Sequence, residues 1–365
     1  MYDLDNMTDQ EILDAIKAEE AADTINDNLQ MALKICLNSG YGAVGNQYFL
    51  YYKVENAESI TASGQLINKW THVRLNDLLN KLVGSEGVNR TVAGDTDSLY
   101  INMSDVVDKM GIRALTEDQI ADKLDNLANV VISPKMEEYS NDLCTYMNGM
   151  RNKMVWAREV IAPVAIFVRK KGYAMRVIDS EGVRFKEPKI KVVGLESVKS
   201  STPEWSRKLL KKCYTAALDK PESVIHDLVK QVRKDYMAMP INEIAIPRGV
   251  NNIEKYIDDN GLYIKGTPKN VKAAIIHNYL IDQKGLSVPK IVSGNKIKFI
   301  DLKRPNPIHQ DVIGFTWSLP AEFELEKFID RRTVFEVSFL APLQIFLDAI
   351  KWTPEPVVSL ESFFS

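Results

Sequence analysis

The sequence predicts a mixed α+β fold in which long helices and antiparallel strands occupy separate stretches. Three observations predict it. Apolar residues recur at helical spacing over 12–35 and 57–82. Two short apolar runs flank a polar GDTDS turn at 94–98, the pattern of a hairpin. Beyond Met239, prolines become frequent and short strands such as Lys296–Leu302 alternate with helices. At 365 residues, 45% hydrophobic and 26% charged, the chain has material for a sizeable core and for two or three domains.

Taken in order, Thr8 and Glu11 form a capping-box pattern ahead of Ile12, Leu13, Ile16, Ala21, Ile25, Leu29, Met31, Leu33 and Ile35. They predict one long or twice-broken helix ending near Gly40 and Gly42. Gln47–Val54 (QYFLYYKV) is aromatic and bounded by polar residues, which predicts a strand or strand-like connection. From Ala57 to Leu82 a helix returns, with Ile60, Leu66, Ile67, Trp70, Val73, Leu75, Leu78 and Leu79 on its apolar side. A turn over Gly84–Asn89 leads to strands over Arg90–Ala93 and Leu99–Met103. Thr116 to about Arg151 reads as helical, Val160–Val168 and Tyr173–Val177 as paired strands, and Thr202–Arg233 as helical behind Ser201, Thr202 and Pro203. There is no internal repeat and no low-complexity tract.

The net charge of −3 argues against a protein that coats nucleic acid by bulk charge, yet the distribution is uneven. Residues 1–30 hold nine acids against one lysine, whereas residues 165–215 hold thirteen Lys or Arg against five acids. Each run also reads simply as a solvated face. Cys36, Cys144 and Cys213 lie far apart without a C-x-x-C, so reduced thiols and no structural zinc are expected. No run reaches the roughly 18–20 apolar residues of a membrane span, and the acidic start is unlike a secretory leader. The expected compartment is the cytoplasm, with no membrane partner.

Two groups of residues point to chemistry. Asp95 and Asp97, two apart at a strand end, can share a divalent cation, and magnesium suits two carboxylates that leave room for water and phosphate oxygens. The same D-T-D also fits a polar hairpin tip, because Asp is common in turns. Lys34, Asn38 and Tyr41, at i, i+4 and i+7, line one helical face with a cation, an amide and a phenol. Such a face can meet a triphosphate and a base, or it is an ordinary solvated face before a glycine stop.

K-x-x-x-N-S-x-Y-G at 34–42, followed about fifty residues later by G-D-T-D-S, resembles the second and third polymerase motifs of the family B DNA polymerases. RKKGYAM (169–175) is similar to the family's K-K-x-Y element, and VVGLESVKSSTPEW (192–205) to the stretch that opens its thumb. The resemblance is strongest to the replicative polymerases of T-even-type tailed phages and runs along essentially the whole chain.

The resemblance implies a partial fingers helix over 1–45, a palm over 46–190, a thumb over 191–355 and a clamp-binding tail over 356–365. Asp97 would be the metal-ligating palm carboxylate and Asp95 its acidic neighbour. Glu159, in Ala157-Arg158-Glu159 where the phage relatives carry D-R-E, would be an accessory metal carboxylate. Lys34 would contact the phosphates of the incoming dNTP, Asn38 and Tyr41 would flank the nascent base pair, and Gly42 would allow close backbone approach. Lys170, Lys171 and Tyr173 would hold primer-template DNA. Leu360, Phe363 and Phe364 of the C-terminal L-x-x-F-F would dock on a sliding clamp, or fold back on the thumb. The implied reaction is attack of a primer 3′-hydroxyl on the α-phosphate of a dNTP, aided by two Mg2+ ions, in an infected bacterial cell.

The sequence departs from the family pattern at Gly40, Ala93, Ala157 and Gly172. It lacks the D-x-x-S-L-Y-P-S segment that supplies the other palm aspartate, and it lacks an exonuclease region. Loss of one metal carboxylate should cost several kcal/mol of barrier, each ~1.4 being tenfold. The expectation is a C-terminal subunit of a split polymerase, active only with an N-terminal partner chain. The rivals are a noncatalytic DNA- or clamp-binding remnant and an unrelated magnesium phosphotransferase.

Overall fold

The computed structural model describes residues 7–356, which divide into two compact units. The first runs up to residue 114 and takes in 126–156; the second comprises 115–125 and the chain from 157 onward.

The first unit opens with α1 (Asp9–Val44), capped as its sequence predicts: the Thr8 side chain accepts from the Glu11 backbone while the Glu11 carboxylate accepts from the Thr8 backbone. α1 is 36 residues long, continuous through Gly40 and Gly42, and buries none of its residues. The predicted strand at Gln47–Val54 does not form. Phe49 N–H donates to Asn46 O and Tyr52 N–H to Phe49 O, so local turns satisfy the backbone that a ladder would have used, and α2 (Val54–Val83) already begins at Val54. α2 ends at Gly84, whose φ of 80° is the left-handed stop that glycine makes cheaply.

Next come β1 (Thr91–Asp95) and β2 (Ser98–Ile101), an antiparallel hairpin in which Asp95 faces Ser98. α3 (Ser104–Lys109) follows; after α4 (Glu117–Leu127), which up to Asp125 belongs to the second unit, the first unit resumes with a π-helical turn over Ala128–Ile132 and α5 (Ser133–Tyr146). Leu75, Leu79, Val106 and Met136 form the buried apolar centre of this unit.

In the second unit β3 (Val160–Ile161) and β4 (Val164–Arg169) pair in succession along one side of β5 (Gly172–Ser180), and β6 (Val183–Val193) pairs along the other. All pairings are antiparallel. Acids of α4 anchor there: Glu117 meets Arg176, while Asp118 and Asp122 meet Arg184. The helical stretch after Pro203 is two helices, α6 (Glu204–Asp219) and α7 (Glu222–Met237), because Pro221 cannot continue the first.

α8 (Ile241–Ile244) precedes β7 (Ile246–Gly249), α9 (Lys269–Lys284), β8 (Lys296–Asp301) and β9 (Val312–Phe315). The three strands form one antiparallel sheet with β8 central. α9 lies on β9 so closely that a Cβ at Gly314 would stand 3.0 Å from the Ala273 backbone. α10 (Arg331–Phe335) and α11 (Ala341–Asp348) complete a core that includes Trp205, Tyr214, Tyr236, Phe315, Phe323, Phe339 and Phe346. The α+β class read from the sequence is thus the observed one. Among the described residues, no helix is long and apolar enough to cross a membrane.

Candidate active site

The hairpin β1–β2 turns through two residues, Thr96 and Asp97. Asp95 is therefore the last residue of a strand, and Asp97 sits in the turn itself rather than two places along a strand face. Asp95 is half-buried, and its Oδ1 accepts from the Thr96 hydroxyl at 3.1 Å. Asp97 is exposed. Its neighbour Thr96 has φ 44°, a left-handed conformation that a β-branched residue seldom adopts, so the tip of this hairpin is strained.

The polar face of α2 holds the hairpin. Asn80, Asn76, His72 and Asn68 stand at four-residue intervals, one above another on a single helical face. Asn80 donates to Val88 O at 3.0 Å and accepts from the Arg90 guanidinium at 2.6 Å. Asn76 accepts from Arg90 N–H at 2.7 Å and donates to the Thr91 hydroxyl at 2.9 Å. His72 Nε2 lies 3.3 Å from Asn89 Oδ1. At the far end, Asn68 Nδ2 reaches Thr96 O at 3.4 Å and Ser98 O at 3.3 Å. Sequence reasoning counted the apolar residues of this helix and passed over these; the N-x-x-x-H-x-x-x-N-x-x-x-N spacing was the available signal. Arg90, 4% exposed, also pairs with Asp105, closing the base of the hairpin.

Lys34, Asn38 and Tyr41 do share α1, and all three are exposed. Gly40 lies between them, with open space within this chain where a Cβ would stand.

The other predicted residues lie in the second unit. Lys170 and Lys171 form the exposed turn between β4 and β5, and Lys171 has φ 58°. Gly194 explains how the turn is seated: a Cβ there would stand 1.8 Å from Lys171 O, so only glycine fits. Arg169 bends over Gly172 to donate to Gly194 O at 3.0 Å, and a Cβ at Gly172 would stand 2.7 Å from Arg169 Cγ. The glycine that departs from the phage pattern therefore makes room for this arginine. Tyr173 is buried, with its ring tilted against Phe167 at 5.2 Å.

Glu159 is exposed, and its carbonyl accepts from Glu181 N–H. The preceding Arg158 is held by Asp125 and by the buried Asp179, which Arg184 also grips. Burial opposes ionisation of Asp179, but these guanidiniums outweigh it and hold the carboxyl below the usual range. Leu360, Phe363 and Phe364 lie outside the described residues.

Two neighbouring aspartates at an exposed tip provide hard oxygen donors of the kind that suit Mg2+. They fit as part of a site: among the described residues, no group of three or more potential metal ligands comes together.

Comparison with known proteins defines the class. The profile of DNA polymerase family B matches residues 10–130, which take in α1, α2 and the hairpin. The DNA-directed DNA polymerase of Enterobacteria phage T4 is 30% identical over 377 aligned residues, covering 100% of this chain and 42% of that protein. That of Escherichia phage RB69 is 32% identical over 350 residues, covering 92% and 38%. DNA polymerase 1 of Aeropyrum pernix is 25% identical over 276 residues, covering 72% and 22%. The chain is related in sequence to the family B DNA polymerases, the T-even phage enzymes among them, and it spans about two fifths of the length of those two phage relatives.

Proposed function

We propose that this chain is the palm-and-thumb part of a template-directed DNA polymerase, with α1 as half of its fingers. The observation that carries the reading is the exposed Asp97 at the tip of a GDTDS hairpin inside the segment matched by the family B profile. Asp97, with Asp95 beside it, would hold Mg2+, which when bound neutralises phosphate charge and activates the primer 3′-hydroxyl.

The chain's own residues bind and orient. Lys34 meets the dNTP phosphates as a point charge, and Asn38 and Tyr41 flank the new base pair. Lys170 and Lys171 neutralise primer-template phosphates from a turn that Gly194 and Arg169 keep in place. Tyr173, paired in register with Phe167 next to that turn, packs its ring on Phe167. The bond formed joins the primer oxygen to the α-phosphorus, and pyrophosphate leaves.

Two acids do not complete a two-metal centre. In this reading a second polypeptide supplies the other palm aspartate, the exonuclease and the rest of the fingers, and the acidic α1 pairs with one of its helices. The C-terminal L-x-x-F-F docks the assembly on a sliding clamp. The test is primer extension by this chain mixed with a polypeptide carrying the D-x-x-S-L-Y-P-S segment. The mixture should extend the primer, neither component alone should, and Asp97→Ala should lower the rate by at least about 10³-fold, the several kcal/mol owed to a metal carboxylate. Tight DNA binding without extension by any such mixture would replace this reading with that of a noncatalytic remnant, which Ala93 and Ala157 favour.

A further inference from the structure

We propose that Asn68 is a positioning residue for Asp97: it fixes the hairpin tip in the shape that presents this carboxylate. The proposal rests on the reading of Asp97 as the metal-binding acid. Of the four polar groups along α2, three grip the base and rising strand of the hairpin, and only Asn68 reaches the turn. Its Nδ2 lies 3.4 Å from Thr96 O and 3.3 Å from Ser98 O, so carbonyls on both sides of Asp97 are tied to one helix.

The turn needs such a tie. Thr96, at φ 44°, holds a left-handed conformation unfavourable for a β-branched residue, and a two-residue loop freed of outside contacts would relax. Relaxation would move Asp97, since Thr96 C=O belongs to the peptide that enters it.

Burial divides the labour along the helix. Asn80 and Asn76 are both 8% exposed and stabilise the fold, whereas Asn68 is half-exposed and contributes mainly geometry. Misplacing a reacting group by about 1 Å can cost on the order of 10²-fold in rate, so a weak contact here can matter to catalysis while barely affecting stability.

The experiment compares Asn68→Ala and the equally sized Asn68→Asp, which lacks the donor, with wild type in the assembled polymerase and in the full chain. Single-turnover incorporation should slow about tenfold or more with dNTP KM and Tm unchanged. In the full chain, amide hydrogen exchange should quicken over residues 94–99 and stay unchanged over 86–91. Wild-type rate and exchange in both variants, alongside an inactive Asp97→Ala, would overturn the proposal and leave the catalytic reading standing. A general rise in exchange with a lower Tm in both variants would also overturn it, by making Asn68 structural. A fully active Asp97→Ala would remove the reading of the site itself, and this proposal with it.

Discussion

The two units are held together by different physics. The second has a continuous apolar core with, among the described residues, six fully buried large aromatics, one of them Phe346, whose ring lies 4.2 Å from that of Tyr214. The first has four buried apolar residues at its centre and, along α2, a row of amides that bind a neighbouring strand group by group. Apolar burial is non-directional and scales with area. Hydrogen bonds are directional, so a ladder of them sets the register of one strand against one helix. The unit that carries the GDTDS hairpin is the one that uses directional contacts.

The largest expected effect on stability separates these two modes. Phe346→Ala should destabilise by about 3–5 kcal/mol, the range for emptying a well-packed aromatic site, read as a shift in denaturant midpoint. It should leave hydrogen exchange over 86–99 unchanged; a change there would break the distinction between the units.

Asn80→Ala tests the opposite case. It strands the buried Arg90 guanidinium and Val88 O, at an expected cost of about 1–3 kcal/mol. Exchange should rise first over 86–91, and unfolding of the second unit should be unaffected. A cost below about 0.5 kcal/mol would show that the ladder is decoration on an apolar contact.

The smallest effect is one of pH. His277 is 1% exposed, and burial, partly offset by the Pro289 and Gly314 carbonyls, holds its pKa below the ordinary value. The folded chain therefore binds this proton more weakly than the unfolded chain does. Its contribution to stability is present above the unfolded pKa of ~6.5 and declines as pH falls below it, by at most about 1.4 kcal/mol per pH unit. Melting between pH 7 and 5 should be acid-sensitive for wild type and flatter for His277→Gln. An unchanged slope would exclude His277 as the source.

Much of the site could be read directly from residues. Thr8 with Glu11 signalled the start of α1, and GDTDS between two apolar runs signalled β1–β2, because capping and tight turns are local and depend on a few side chains. The strand expected at Gln47–Val54 failed for a non-local reason: aromatic composition suits a strand only where another strand is present to accept its ladder. Asn68, His72, Asn76 and Asn80 were visible as a spacing but had no evident meaning until the strand they hold was placed beside them. Gly172 read only as a departure from the family pattern; in the fold it is the space through which Arg169 reaches Gly194.

The sequence by itself determined the family relationship, the hairpin and the identity of its acids, because these reside in short motifs whose physics is local. Tertiary structure decided that Asp97 sits in the turn with Asp95 closing the strand, that a strained Thr96 lies between them, and that an amide 28 residues earlier in the chain grips both sides of the tip. Those facts depend on which surfaces meet, and contacts between distant residues are chosen by packing and hydrogen-bond satisfaction across the whole unit.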